Sequence, residues 1–159
     1  MTTFQEALKE FYTNEVLGET IYSALFEAAT ERQEKLKWAT LLQLETETKA
    51  WLRPVLVAHG VGVEEHAADR QMVVAMAEQL FPLGWSEKMQ ALKDLGGQLL
   101  PTYQGYADAA AGRGEADAEA TCRYMVEHER AQAEFASREL AGDGVSSLEP
   151  IAKFLKYPI

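Results

Sequence analysis

The chain of 159 residues contains one cysteine, Cys122, so no internal disulfide can form. It has only 11 glycines and 5 prolines, too few for a turn-rich all-β fold. No apolar run approaches the roughly 20 residues that a membrane-spanning helix needs. Basic residues are outnumbered, 15 Lys and Arg against 25 Asp and Glu, giving a net charge of −10 and a pI near 4.8. Nucleic acids and anionic membranes are held by Lys and Arg, so neither is expected as a partner. The acidic balance is read as a solubility device. The opening residues show no basic segment followed by an apolar core, so no secretory leader is expected and a cytoplasmic location is. Cys122 lies in a helical pattern with nothing nearby to depress its pKa; it is expected to be a small buried hydrophobe rather than a reactive thiol.

What the chain does have is apolar residues, 47% of the total, and charged residues, 25%. That is enough for a packed core in one domain covering residues 1–159. The apolar spacing is helical. Phe4, Leu8, Phe11, Tyr22, Leu25, Phe26 and Ala29 predict a first helix over 4–29, with Thr3 and Glu6 as a capping pair. Leu36, Trp38, Leu41, Leu44, Leu52, Val55 and Leu56 predict a second, ended by the glycines at 60 and 62 or shortened by Pro54. Residues 63–84 read as a crossover with a short helix over 69–80. Met89, Leu92, Leu99, Tyr103, Tyr106 and Ala110 predict a third long helix from an N-cap at Ser86, with Pro101 inside it. A fourth runs over 115–140, and an apolar tail over 146–159 is expected to pack back. The expected architecture is therefore all-α: an up-down four-helix bundle in which two short turns and one long crossover join the helices. A weak internal repeat fits this, Gly18-Glu19 and Leu44-Glu45-Thr46-Glu47 echoing Gly97-Gln98 and Val126-Glu127-His128-Glu129.

Helical rotation of about 100° per residue places Glu15 and Glu19 on the apolar face of the first helix and Glu45 and Thr48 on that of the second. On the fourth it places His128 inward and Glu127 at the edge. Buried acids are paired, protonated or metal-bound. The Lys and Arg residues of these helices fall mostly on other faces, which leaves these acids and the histidine as candidate metal ligands. His59 and His66 read as surface residues.

These residues resemble the rubrerythrins and related ferritin-like di-iron proteins. The likeness is carried by Gly18-Glu19-Thr20-Ile21-Tyr22 with Leu25-Phe26-Glu27-Ala28-Ala29, and by Leu44-Glu45-Thr46-Glu47. It continues in Tyr103-Gln104-Gly105-Tyr106-Ala107-Asp108-Ala109-Ala110 and in Tyr124-Met125-Val126-Glu127-His128-Glu129. Such proteins hold two metal ions with a Glu from each of two helices and a Glu-x-x-His from each of the other two. The resemblance implies metal ligation by Glu19, Glu45 and Glu127, with iron or manganese as cofactor; His128 and Glu15, placed inward by helical rotation, are the candidates to complete the set. Tyr22 and Tyr103 are the candidate catalytic side chains. The chain departs from the family pattern: Thr48 and Arg130 stand at the two histidine positions, and Gln98 or Pro101 where the third-helix glutamate would fall.

Three functions stay open at this stage. The first is a metal-dependent oxidoreductase acting with dioxygen or peroxide on a small molecule. The second is a metal-free bundle binding a small apolar or aromatic ligand among Tyr22, Tyr103, Tyr106 and Tyr124. The third is a structural or interaction protein, with a homodimer as the expected assembly.

Overall fold

In a computed structural model, which describes residues 3–157, the apolar stripes become six helices: α1 (Thr3–Ala28), α2 (Arg32–Ala58), α3 (Ala67–Glu78), α4 (Trp85–Arg113), α5 (Ala116–Leu140) and α6 (Glu149–Ala152). No strand occurs among the described residues, and no helix is long and apolar enough to cross a membrane. The all-α expectation holds. The last two residues of the expected tail, 158 and 159, lie outside the described residues.

Several boundaries differ from expectation. Thr3 and Ser86 lie inside their helices rather than ahead of them. Pro54 does not end α2, which continues to Ala58; proline removes one backbone donor and crowds one carbonyl, and the helix absorbs both. Stops written in glycine are read correctly. Gly60 has φ 69°, and Gly60 N–H and Val61 N–H donate to the Val57 and Leu56 carbonyls at 3.1 and 2.9 Å. This is the left-handed glycine cap with its two crossed hydrogen bonds. Gly114, with φ 68°, closes α4 the same way through bonds to Ala111 and Ala110.

The chain divides into two compact units, Leu8–Gly84 with Phe154–Ile159, and Met1–Ala7 with Trp85–Lys153. In the first, α1 and α2 form an antiparallel hairpin. Arg53 Nε donates to the Tyr12 hydroxyl at 3.1 Å, Thr46 Oγ1 donates to Glu19 at 2.9 Å, and Tyr22 stacks on Trp38 with centroids 5.9 Å apart. Early residues of one helix thus meet late residues of the other. Phe11, Trp38, Leu41, Leu44, Leu52 and Leu56 are almost fully buried, each contributing about 1.5–3 kcal/mol relative to exposure. The tail is tied to α2 by main-chain contacts: Gln43 Nε2 donates to the Tyr157 carbonyl at 2.8 Å, and the Lys156 N–H donates to Glu47.

The second unit is built on the α4–α5 hairpin. Trp85 Nε1 donates to Glu139 Oε2 at 2.7 Å, and Arg130 donates to Gln104 at 3.3 Å, again an antiparallel register. Met89, Tyr103, Ala107, Cys122, Met125, Phe135 and Ile151 are buried in this unit. Arg138, which donates to the Ser146 carbonyl at 2.8 Å and to Glu149 at 2.8 Å, fastens the approach to α6.

Candidate functional site

In the α1–α2 hairpin the structure buries Glu15 (1% exposed) and Glu45 (3%). Glu45 is accommodated by Gly18. A Cβ built on Gly18 would stand 2.3 Å from Glu45 Oε2, 2.8 Å from Cδ and 3.2 Å from Cγ. No side chain at position 18 can coexist with the carboxylate where it lies. Glycine in a helix interior is about 1 kcal/mol less favourable than alanine, so this vacancy is held against local helix preference.

Thr48 lies one turn beyond Glu45 on α2. It is 1% exposed, and its Oγ1 finds no hydrogen-bond partner among the described residues. The other buried threonines each donate back to the carbonyl four residues earlier: Thr20 to Val16 at 2.8 Å, Thr40 to Leu36 at 2.8 Å and Thr121 to Asp117 at 2.9 Å. Thr48 alone among them does not make this usual helical bond.

Glu19 is placed differently from the ligand role that the resemblance implies. Its Oε2 accepts from Lys49 at 2.5 Å and from Arg70 at 3.1 Å, and its Oε1 from Thr46. Burial alone would raise its pKa, but the bonds from Lys49, Thr46 and Arg70 outweigh this and hold it below the usual carboxylate range. A carboxylate so occupied by protein cations does not fit a metal ligand. The expectation that cations fall away from the buried acids therefore fails at Lys49, which is itself buried. Its long apolar stem lies along the helix and delivers the ammonium to Glu19.

The same cations reach Glu65, in the crossover, which the sequence reading did not single out. Glu65 accepts from Arg70 at 2.6 Å, Tyr12 at 2.8 Å and Arg53 at 3.1 Å, and lies 3.2 Å from Lys49 Nζ. Burial again pushes up, but the bonds from Arg70, Tyr12 and Lys49 hold its pKa down at about 2. Two acids, three cations, a phenol and two threonines, Thr46 and Thr20, thus join α1, α2, the crossover and α3.

In the α4–α5 hairpin His128 is fully buried, with Nδ1 3.7 Å from Glu129 Oε1. Glu129 is 6% exposed. Glu127 is corrected: it is more than half exposed and paired with Arg130, three residues on. The buried acid of the Glu127-His128-Glu129 run is Glu129, one residue beyond the inward histidine. Tyr103 is fully buried, and in the other hairpin Tyr22 is 4% exposed. His59 and His66 are at the surface as expected. The internal repeat does not extend to the glycine vacancy. A Cβ on Gly97 would meet nothing within 4 Å, and one on Gly96 would make ordinary contact with Ala133 at 3.6 Å.

Each unit taken by itself buries groups with metal-binding chemistry: Glu15 and Glu45 in the first, and His128 with Glu129 in the second. Carboxylate oxygen and imidazole nitrogen are the donors that iron and manganese accept. Compared with known proteins, the chain matches no family model, no curated protein and no solved structure.

Proposed function

We propose that this chain is a divergent ferritin-like four-helix protein that binds iron or manganese through buried carboxylate and imidazole donors, in the service of redox chemistry on a small molecule. The architecture is supported by two long antiparallel hairpins joined through a crossover that carries a short helix. The observation that carries the metal reading is the seating of Glu45 against Gly18: a helix-breaking residue is kept where only a buried carboxylate uses the space it leaves. Burial of Glu15, Glu129 and His128 supports it, because ionisable groups are retained in a protein interior when a charge interaction holds them. Glu19 and Glu127 are left out of the ligand set. Fewer acids than a two-ion centre needs then remain, and the reading is of a single ion.

A bound ion would supply Lewis acidity and one-electron chemistry. The residues of the chain do the rest. In the first hairpin, Glu45 and Glu15 are the buried oxygen donors that would hold it. Tyr22 and Tyr103 are the buried hydroxyls available for proton transfer.

The test is elemental analysis of protein purified without chelator, as wild type and as the Glu45→Ala and His128→Ala variants. Stoichiometric iron or manganese in the wild type that disappears with Glu45→Ala supports the reading. Loss in Glu45→Ala with retention in His128→Ala assigns the ion to the first unit. A wild type free of both metals ends the proposal.

A further inference from the structure

Two residues beside Glu45 sit where a different side chain would suit the helix better. Gly18 weakens α1, yet the three heavy atoms nearest to its missing Cβ all belong to the end of the Glu45 side chain, and none to backbone. What a side chain at this position would meet first is therefore the Glu45 carboxylate. Of the other glycines inside helices, Gly96 meets only ordinary contacts, and Gly97, Gly105 and Gly112 meet nothing within 4 Å. Thr48 keeps a buried hydroxyl with no hydrogen-bond partner among the described residues, although valine has the same shape without that penalty. Threonine in a helix readily satisfies itself on the preceding turn, and Thr20, Thr40 and Thr121 do so. A hydroxyl held off that carbonyl is open to a partner outside the described residues. One turn from a carboxylate on the same helix, the fitting chemistry is the water of a hydrated divalent cation.

We propose that Gly18 and Thr48 are positioning residues for a hydrated divalent cation at Glu45. Gly18 clears the volume in which the carboxylate lies, and Thr48 offers its hydroxyl to a water of the ion. This rests on the reading of Glu45 as a metal donor and assigns roles to two residues outside the ligand set.

Mn²⁺ is the probe, its free concentration followed by electron paramagnetic resonance, and thermal unfolding is measured separately in chelator. Gly18→Ala and Thr48→Val each weaken Mn²⁺ binding about tenfold or more, the usual effect of losing a group that supports a ligand. Thr48→Val raises the melting temperature of the metal-free protein, and Thr48→Ser retains the affinity. Unchanged affinity in both variants overturns the proposal. A thermal cycle tests Gly18 without metal. In a Glu45→Ala background, Gly18→Ala raises the melting temperature by about 3 °C, the gain expected of alanine in a helix of a domain this size. With Glu45 present the gain is smaller, because the new Cβ displaces the carboxylate. Equal gains in both backgrounds overturn the positioning role. If the wild type binds no Mn²⁺ but the cycle shows this coupling, the cation is overturned and the seating of Glu45 by Gly18 stands.

Discussion

Lys49 Nζ lies 2.5 Å from Glu19 Oε2 and 3.2 Å from Glu65 Oε1, so one buried ammonium holds a carboxylate of α1 and a carboxylate of the crossover. Deleting the one buried cation of this partly buried set removes compensation from both acids, which is more damaging than the net value of the interaction suggests. Lys49→Ala is expected to lose about 2–3 kcal/mol of stability, less than for a fully buried pair, since Arg70 remains on both acids. Urea unfolding monitored by circular dichroism checks this. A loss near zero would mean that Arg70 alone neutralises both carboxylates.

The pH response of this network has a definite sign. Glu65 is held at about 2 in the folded chain, against 4.5 for a free glutamate. The unfolded chain therefore takes up the proton first on acidification. The stabilisation from Glu65 is complete above about 4.5 and is lost as the pH falls from there to about 2. Glu19, also depressed, loses its contribution in the same direction. Urea midpoints measured from pH 6 to pH 2.5 should fall more steeply for the wild type than for Glu65→Gln. Parallel curves would show that Glu65 has an ordinary pKa.

How much of this was legible in the sequence follows from the range of each signal. The order of the five longer helices was written in apolar spacing, and the stop at Gly60 in local backbone preference, both of short range, whereas α6 was read only as an apolar tail. Inward placement of Glu15, Glu45 and His128 followed from helical rotation alone. The partners of Glu19 did not. Arg70, and with it the second acid Glu65, comes from the crossover, more than 40 residues along the chain from Glu19, and no periodicity links them. Lys49 was misjudged because rotation places its Cα at the edge of the apolar face, whereas its ammonium sits at the end of a long flexible stem. The role of Gly18 was half visible: Gly18-Glu19 stood out as a motif, but the residue that uses the glycine is Glu45, on another helix.

Cys122 is 1% exposed, and burial, the leading cause, pushes its thiol up to about 11. The thiolate is the reactive species, so the native protein at pH 8 should leave Cys122 unlabelled by a thiol reagent over a period in which the urea-unfolded chain reacts fully. Rapid labelling of the native form would place Cys122 among the reactive residues and reopen thiol chemistry.

Glu127 and Glu129 flank the same histidine and separate two explanations of why this run is acidic. Glu127 and Arg130 are both more than half exposed; such an ion pair, three residues apart on a helix surface, is worth about 0.2–0.5 kcal/mol. Glu129 is buried, with its Oε1 3.7 Å from His128 Nδ1. Glu127→Ala should therefore leave metal content unchanged and stability almost so. Glu129→Gln, which keeps the shape and removes the charge, should reduce any metal that the chain holds. If instead Glu127→Ala removes the metal and Glu129→Gln does not, the exposed acid is the ligand. The face of α5 that carries the chemistry would then be the opposite one.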